Sequence, residues 1–356
     1  MSSSDAHPSI APVRPAGFGL TVIVPAYNEA ASVGDTVRSL LSQSLPPDEI
    51  IVVDDRSTDG TGDVARALGV TVLTPPRNTG SKAGAQTFAL PHVRTPFTMA
   101  IDADTILAPD AIELLTPAFE DPRIAAACGY VLPRHVDTIW ERGRYVEYLF
   151  AFTFYKQVQD HFGKPTISSG CFSMYRTVAL RDVGGWSTRT LAEDMDLTWT
   201  FYERDWGVRF IPEAVSYPIE PHDLTFMRSQ LRRWAHGFVQ NVVLHRRSLL
   251  RVPFLRSSVA VAAWDATVAT AAYFLALPLL ALLLAHPWPL VGYLIDIPAV
   301  LVPVLVGAAA RGETRQALAS VPGFFALRFL NSLFFVEAIW SEVIRGRRFE
   351  TYEKGH

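Results

Sequence analysis

The chain has 356 residues, a formal net charge of −3 and a mean hydropathy of +0.18. The near-neutral charge argues against nucleic acid as a partner, because proteins that bind nucleic acid carry an excess of Lys and Arg. Two cysteines, Cys128 and Cys171, are too few for a disulfide scaffold or a multi-cysteine metal cluster. A positive mean hydropathy is high for a soluble protein, so the apolar excess must be concentrated in one part of the chain.

Composition divides the chain into five predicted parts, the first of which is rich in Ser, Pro and Ala. We expect this part, residues 1–19, to be a disordered tail without a signal peptide or an N-terminal membrane span. The other predicted parts are a globular domain at 20–223, an amphipathic segment at 224–257, a transmembrane region at 258–344 and a basic tail at 345–356.

The globular part alternates short apolar runs with segments of helical periodicity. The predicted strands are 20–24, 49–53, 70–73, 97–101 and 125–131. The predicted helices are 30–43, 61–68, 81–89 and 110–119. This alternation predicts an α/β fold in which a mainly parallel sheet has helices on both faces. Ligands bind such sheets beyond the carboxyl ends of the strands, which is where the polar motifs of this chain lie.

The first predicted strand is not followed by G-x-G-x-x-G, and the sequence contains no G-x-x-x-x-G-K-[ST], so a dinucleotide fingerprint and a P-loop are both missing. Two adjacent carboxylates, Asp54 and Asp55, follow the second predicted strand and could accept hydrogen bonds from a base or a ribose. Their surroundings, VVDDRSTDGT, are equally typical of a turn and a helix cap. The residues alone do not decide between these two interpretations.

A second pair of carboxylates, Asp102 and Asp104, follows the predicted strand at 97–101. Carboxylate and phosphate oxygens are the ligands that Mg²⁺ and Mn²⁺ prefer in proteins. A D-x-D pair at a strand end, with Asp54 and Asp55 on a neighbouring strand end, therefore predicts a divalent cation that bridges a diphosphate.

Glu193 and Asp194 begin a predicted helix in TLAEDMDLTWTFYER, and one of them could act as a general base toward an acceptor hydroxyl. Acidic residues at that place also complement the helix dipole, which is the simpler alternative. Cys171, in SSGCFSMYR, is predicted to be a small buried residue rather than a nucleophile, because the sequence shows no partnered His nearby.

Gln230, Arg233 and Trp234 are spaced to share one face of a helix in the basic amphipathic segment. An Arg side chain can pair with phosphate through two hydrogen bonds, and an indole can stack on a sugar ring. The alternative is a helix whose Arg and Trp side chains face lipid.

Three apolar stretches, 266–285, 290–310 and 321–343, are long enough to cross about 30 Å of hydrocarbon. The third contains several charged residues, and we expect it to lie partly in the membrane interface. Seven arginines and no acidic residue in 224–256 favour the cytoplasmic side for that segment. These patterns predict a multi-pass protein of the cell membrane with a cytoplasmic catalytic domain. The basic run at 345–348 then predicts an even number of crossings.

Seven short motifs occur in order: VPAYNE at 24–29, VVDDRSTDGT at 52–61, KAG at 82–84, DAD at 102–104, SSGC at 168–171, AED at 192–194 and QLRRW at 230–234. Together they resemble the membrane-bound family-2 glycosyltransferases. The passage 184–214 is most similar to bacterial poly-N-acetylglucosamine synthases, and hyaluronan, chitin and cellulose synthases are more distant.

The resemblance implies a GT-A fold, inverting transfer from a UDP-sugar, and a role for each matched residue. The nucleotide-sugar would be bound by Pro25, Tyr27, Glu29, Asp54, Asp55, Lys82 and Asp102. Mg²⁺ or Mn²⁺ would be bound by Asp102 and Asp104, with Asp104 the direct ligand. The catalytic residues would be Asp194 as general base, Glu193 beside it, and Arg233 at the leaving diphosphate. The acceptor would contact Ser169, Gly170, Cys171, Gln230 and Trp234.

The function that the resemblance implies most directly is β-linked extension of a polysaccharide at the lipid bilayer, with UDP-N-acetylglucosamine as donor. No apolar span precedes residue 18, so we expect a translocation channel to need a membrane partner or a homo-oligomer. A non-processive enzyme that adds a sugar to a lipid or polyprenyl-phosphate acceptor stays open as the alternative. A catalytically silent membrane protein that binds nucleotide is disfavoured, because it has no need of the full set of acidic residues, Arg233 and Trp234.

Overall fold

The computed structural model describes residues 17–350. Most of the predicted tail at 1–19, and residues 351–356 of the predicted basic tail, lie outside this range. The first described residues lead directly into a strand, where the Leu20 amide donates a hydrogen bond of 2.7 Å to Asp48 Oδ2.

The core of the fold is a single mixed β-sheet. Its strands are β1 (Leu20–Ala26), β2 (Glu49–Asp54), β3 (Thr71–Leu73), β4 (Phe97–Ile101), β5 (Thr105–Leu107), β6 (Ile124–Val131), β7 (Phe172–Arg176) and β8 (Gly207–Pro218). Among the described residues these eight strands follow the order β3-β2-β1-β4-β7-β6-β8-β5.

The strand directions confirm the α/β class and correct one detail of the prediction. The four strands β3-β2-β1-β4 are parallel, and β6 is parallel to β8. In contrast, β7 runs antiparallel to both β4 and β6, and β5 runs antiparallel to β8. The sequence patterns did not predict β5, β7 or β8, and the antiparallel pairings of β5 and β7 make the sheet mixed.

Helices pack on both faces of the sheet, as predicted. The helices that alternate with the first strands are α1 (Val33–Leu41), α2 (Thr61–Ala67), α3 (Lys82–Ala89) and α4 (Ala111–Leu115). The following helices are α5 (Ile139–Phe150), α6 (Lys156–His161), α7 (Thr177–Asp182), α8 (Glu193–Glu203), α9 (Leu224–Leu244) and α10 (Arg246–Arg251). A π-helical turn, Ala151–Tyr155, joins α5 to α6.

The apolar run of β1 is continuous because both of its faces are covered. Val22 and Val24 point into the cluster that contains α1, whereas Ile23 points into the cluster that contains α3 and α8. Successive side chains of a strand alternate between faces, so a strand buried on both sides needs an apolar residue at every position. This burial fixes the carboxyl ends of β1, β2 and β4 beside one another.

Three long apolar helices follow α10 within the described residues, and each is long and apolar enough to cross a membrane. We call them the first (Pro253–Leu283), second (Trp288–Ala309) and third (Thr314–Ile344) apolar helices. They contain most of the three predicted stretches. In the most apolar 18-residue segment of each helix, 6% of the first helix and 44% of the third is buried inside the protein.

The third apolar helix is attached to the α/β domain at a close crossing with α5. A Cβ atom on Gly143 would lie 2.7 Å from the carbonyl oxygen of Gly323, which is closer than any side chain allows. The two backbones can touch because both residues are glycines. The same helix also contacts α9, where Arg232 pairs with Glu337 at 2.5 Å.

Candidate active site

The D-x-D carboxylates lie immediately beyond the carboxyl end of β4. Ala103 between them is buried, whereas Asp102 and Asp104 are both partly exposed. The Asp102 amide donates a hydrogen bond of 3.2 Å to the carbonyl oxygen of Cys171. The Asp104 carbonyl oxygen accepts one of 3.2 Å from the Ile219 amide. The pair is therefore fixed between the SSGC loop and the end of β8.

Lys82 of the KAG motif contacts residues of three other sequence motifs. It begins α3, which is capped by the Ser81 hydroxyl. Its ammonium group forms an ion pair with Asp102 and donates a hydrogen bond of 2.9 Å to the carbonyl oxygen of Gly170. The same nitrogen lies 3.9 Å from Glu193 Oε1. The KAG, DAD, SSGC and AED motifs thus converge on one mostly buried lysine.

The two carboxylates of the AED motif have different surroundings. Asp194 Oδ2 accepts a hydrogen bond of 3.0 Å from the Gly170 amide, and Asp194 remains partly exposed. Glu193 is buried, and burial raises the pKa of its carboxyl, although the positive charges of Lys82 and Arg233 oppose the rise. Asp194 is therefore the carboxylate that a substrate could reach.

The loops after β1 and β2 hold the predicted nucleotide residues, and hydrogen bonds tie these loops together. Tyr27 is 41% exposed, whereas Glu29 is buried and accepts a hydrogen bond of 2.7 Å from the Ser32 hydroxyl. The Glu29 amide also donates to the Thr61 hydroxyl at 2.8 Å. Pro25 is a buried residue of β1, two residues before Tyr27.

Asp54 and Asp55 each hold a turn. Asp54 Oδ1 accepts a hydrogen bond of 3.0 Å from the Ser57 amide, as in the turn interpretation of the sequence. Asp55 accepts two from Thr79, one of 2.8 Å from the amide and one of 2.7 Å from the hydroxyl. Asp55 thereby orders the loop that leads into Lys82, and this contact links the second motif to the third.

Helix α9, which carries QLRRW, packs against the segment that leads into the AED motif. A Cβ atom on Gly237 would lie 2.8 Å from the backbone nitrogen and Cβ of Ala192. The Asn241 side-chain amide donates a hydrogen bond of 3.0 Å to the Ala192 carbonyl oxygen. The close approach needs a glycine, and it places the QLRRW helix beside the predicted general base.

The contacts of Trp234 bear on whether its side chain faces lipid or the protein. Its ring lies on the guanidinium group of Arg144 in α5, 4.4 Å from the Arg144 Cζ atom to the ring centroid. The side-chain oxygen of Gln230 is buried and accepts no hydrogen bond from the residues at 17–350. The contact with Arg144 favours a tryptophan that faces the protein over the alternative of a helix whose Arg and Trp side chains face lipid.

A match to a protein family accounts for this arrangement of motifs. Residues 15–237 match the family described as glycosyltransferase like family 2, which is more than half of the chain. The chain belongs to this family. The family assignment agrees with the resemblance drawn from the seven motifs.

Similar proteins of known name support the same assignment. The chain is 28% identical over 224 residues to the poly-beta-1,6-N-acetyl-D-glucosamine synthase of Staphylococcus epidermidis, covering 62% of this chain and 54% of that protein. It is 27% identical over 223 residues to the synthase of the same name from Staphylococcus aureus strain COL, covering 62% of this chain and 54% of that protein. The chain spans about half the length of the curated relatives it matches.

A solved structure shows the same fold over most of the chain. The mannosyltransferase PcManGT from Pyrobaculum calidifontis, in complex with GDP-Man and Mn²⁺, has a TM-score of 0.58 and 21% sequence identity. The alignment covers 90% of this chain and 87% of that chain. Coverage of this extent includes apolar helices as well as the α/β domain.

The donor set of this family-2 glycosyltransferase suits a hard divalent cation. Asp102 and Asp104 offer carboxylate oxygens one residue apart at a partly exposed strand end. Mg²⁺ and Mn²⁺ accept one or two carboxylates and complete their coordination with substrate phosphates and water. Among residues 17–350, no group of three or more His, Cys, Asp or Glu is arranged so that it could hold a metal ion.

The SSGC loop at 168–171, where the resemblance predicts acceptor contacts, is held by a residue that the sequence reasoning missed. Ser169 accepts a hydrogen bond of 2.8 Å from the buried Lys156 ammonium group. Cys171 is half-buried rather than fully buried as the sequence predicted, and its partial burial raises the pKa of its thiol. Lys156 belongs to no motif, and its position beside Ser169 depends on the path of the chain through the π-helical turn.

Arg144, also missed, is the centre of a buried charged cluster under Trp234. It is fully buried and donates hydrogen bonds of 3.0 Å to Glu220 Oε2 and 2.5 Å to the Tyr148 hydroxyl. It also pairs with Glu147. Burial lowers the pKa of Arg144, but the surrounding negative charge more than compensates and the pKa is raised. The sequence carries no local signal for Arg144, because its partners are brought to it by the fold.

Proposed function

We propose that the chain is an inverting, membrane-bound hexosyltransferase that extends a polysaccharide through β-linkages, with UDP-N-acetylglucosamine as donor. The observation that carries the proposal is the position of Lys82, which contacts Asp102 on the donor side and Gly170 in the acceptor loop. The names of the curated relatives, poly-beta-1,6-N-acetyl-D-glucosamine synthases, support the donor and the type of product.

On the donor side, we infer that the nucleotide lies across the carboxyl ends of β1, β2 and β4. The exposed ring of Tyr27 and the loop ordered by Asp55 would border the uridine. The charges of Lys82 and Arg233 would stabilise the diphosphate. Mg²⁺ or Mn²⁺ bound by Asp102 and Asp104 would neutralise charge that develops on the departing diphosphate.

On the acceptor side, Asp194 would take the proton of an acceptor hydroxyl while the hydroxyl oxygen attacks the anomeric carbon. The bond from the anomeric carbon to the phosphate oxygen breaks, and UDP leaves with the bonding electrons. Attack from the face opposite UDP inverts the configuration, so an α-linked donor gives a β-linked product. Trp234 and Gln230 would contact the acceptor sugar.

The proposal is tested by UDP release from the full chain in detergent with Mn²⁺, across UDP-N-acetylglucosamine, UDP-glucose, UDP-N-acetylgalactosamine and GDP-mannose. We expect one UDP-sugar to be turned over, and Asp194→Asn to lower turnover at least about 100-fold. Asp160→Asn is the matched control, because Asp160 pairs with Arg209 at 3.0 Å, away from the motifs. Equal turnover by Asp194→Asn and wild type would overturn the assignment.

A second candidate is transfer of one sugar to a lipid or polyprenyl-phosphate acceptor. The packing of the third apolar helix on the α/β domain favours this candidate. Because that helix is partly buried, fewer apolar helices of the described chain remain to line a channel. Under the first proposal a membrane partner or a second copy would complete that channel. Product size separates the two, since a single addition gives one new glycolipid and a polymerase gives a ladder.

We also infer that the α/β domain faces the cytoplasm of a multi-pass protein of the cell membrane. Seven arginines and no acidic residue between 224 and 256 support this orientation. Protease added to right-side-out vesicles should leave the α/β domain intact and protease added to inverted vesicles should cleave it. The reverse pattern would contradict the orientation.

A further inference from the structure

The cluster around Arg144 lies between the acceptor loop and the QLRRW helix. We propose that Arg144 is a positioning residue that fixes the indole of Trp234 in the acceptor site. This inference rests on the proposed function, in which Trp234 contacts the acceptor sugar. It assigns a role to a buried charged cluster that no sequence motif contains.

The guanidinium group of Arg144 is held on several sides. Glu220, which follows β8, accepts from it at 3.0 Å, and Tyr148 of the same helix accepts at 2.5 Å. Tyr148 in turn donates to the second oxygen of Glu220 at 2.5 Å. Glu147 forms an ion pair with Arg144 as well. Partners on two separate elements prevent the planar group from tilting.

A fixed guanidinium plane fixes the indole that stacks on it. The Cζ atom of Arg144 lies 4.4 Å from the Trp234 ring centroid, within the range of a cation–π contact. Helix α9 is itself held by the contact of Gly237 with Ala192. The backbone of Trp234 is therefore in place, and Arg144 determines where its ring points.

The same cluster reaches the acceptor loop. Tyr148 of this cluster and Cys171 of the loop both pack against the same group of buried apolar side chains, which includes Phe152 and Phe210. Cys171 also accepts the Asp102 amide hydrogen bond through its carbonyl oxygen. One buried network thus supports both Trp234 and the loop at 169–171, the two sides between which an acceptor sugar would lie.

The test separates two reactions of the same enzyme: transfer of the sugar to an acceptor and hydrolysis of the donor by water. Hydrolysis needs the donor site but does not need an oriented acceptor. The double variant Arg144→Met/Glu220→Gln removes both fully buried charges together, and the charge of Glu147 that remains is partly exposed to water. We expect the acceptor KM to rise about tenfold and the ratio of transfer to hydrolysis to fall about tenfold, with donor hydrolysis within about twofold of wild type.

Arg144→Lys keeps the charge next to Glu220 but lacks the planar stacking surface. We expect this variant to fold and to show the raised acceptor KM. In a Trp234→Ala background, either Arg144 change should alter the acceptor KM by less than about twofold, because its effect acts through the indole. Arg209→Met, which loses an arginine near the opposite end of β8, is the control that should behave like wild type.

Three results would overturn the inference. The first is an equal fall in the rates of transfer and hydrolysis in the double variant. The second is a wild-type acceptor KM in Arg144→Lys. The third is additivity of the effects of the Arg144 and Trp234 substitutions on the acceptor KM. Absence of transfer by the wild-type protein with every donor would instead overturn the proposed function, so the two failures are distinguishable.

Discussion

The ammonium group of Lys82 contacts Asp102, Gly170 and Glu193, so under the proposed function it is the residue at which donor-side and acceptor-side groups meet. A lysine in this position can exchange a carboxylate partner for a phosphate oxygen when a nucleotide-sugar binds. The ion pair with Asp102 also keeps that carboxylate oriented beside Asp104.

Replacing Lys82 by Met should therefore weaken UDP binding and lower kcat/KM for the donor by about 100-fold, because a diphosphate loses a mostly desolvated cation. Isothermal titration with UDP and steady-state kinetics would measure the two effects. Lys164→Met is the control, since Lys164 lies over the Tyr202 ring at 4.4 Å and belongs to none of the motifs. Unchanged UDP affinity in Lys82→Met would contradict this role.

The positions of Asp54, Asp55, Asp102 and Asp104 at strand ends marked them as candidates from the sequence alone, whereas Lys82 became a candidate only through the resemblance to family-2 glycosyltransferases. The sequence did not predict Arg144, whose partners Glu220 and Trp234 are distant in sequence and meet through the packing of α5, β8 and α9. A buried arginine has no local signature, since its role depends on what the fold brings to it.

At the scale of elements, the packing of α9 on the AED segment depends on the small size of Gly237. Gly237→Ala places a Cβ atom 2.8 Å from Ala192, so α9 must shift by a fraction of an ångström. We expect turnover to fall about tenfold and stability to fall by about 1–3 kcal/mol. In Gly34→Ala the new Cβ would meet its nearest neighbours at 3.4 Å, an ordinary contact, and both properties should stay close to wild type. Turnover and thermal unfolding measure the difference, and equal behaviour of the two variants would contradict it.

A second element-scale contact joins the end of α9 to α8 and depends on pH. His245 lies between Asp196 Oδ1 and Glu203 Oε1, each at 2.7 Å from one ring nitrogen. Burial lowers the pKa of His245, but the two carboxylates more than compensate, and the pKa lies above the ordinary 6.5. The stabilisation is fully present below pH 6.5 and is lost as pH rises through the folded-state pKa.

Thermal unfolding of the purified chain should therefore occur at lower temperature as pH rises above about 6.5, and His245→Gln should flatten this dependence. Arg189, which also pairs with Asp196, stays charged throughout and does not contribute to the slope. The pKa values of Asp196 and Glu203 are lowered despite their burial by hydrogen bonds that include those from His245, so their contributions are lost at acid pH instead. An identical slope in wild type and His245→Gln would contradict this account.

The strands and helices that the sequence predicted are those whose apolar residues follow a regular pattern along the chain. The first four parallel strands and their helices follow from alternating apolar runs, whereas β8 contains Pro212 and Glu213 and shifts register against β6. The strand β7 follows the SSGC loop and runs antiparallel to both neighbours. Its direction is set by tertiary pairing, for which a local pattern gives no signal.

At the scale of the whole molecule, the α/β domain and the third apolar helix form a continuous packed unit. The crossing of Gly143 with Gly323 and the ion pair of Arg232 with Glu337 join them. The first apolar helix, by contrast, is 6% buried in its most apolar segment and presents most of its surface outward. Under the proposed function, this packing would join the candidate catalytic groups to helices that could cross a membrane.

The most direct measurement of the central claim is the product formed by the full chain in lipid nanodiscs with Mn²⁺ and labelled UDP-N-acetylglucosamine. We expect a ladder of β-linked products, each longer than the last by one N-acetylglucosamine, that disappears in Asp194→Asn. A single labelled glycolipid would contradict polymerisation and favour the second candidate. No labelled product with any UDP-sugar would contradict the assignment as a transferase that uses UDP-sugars.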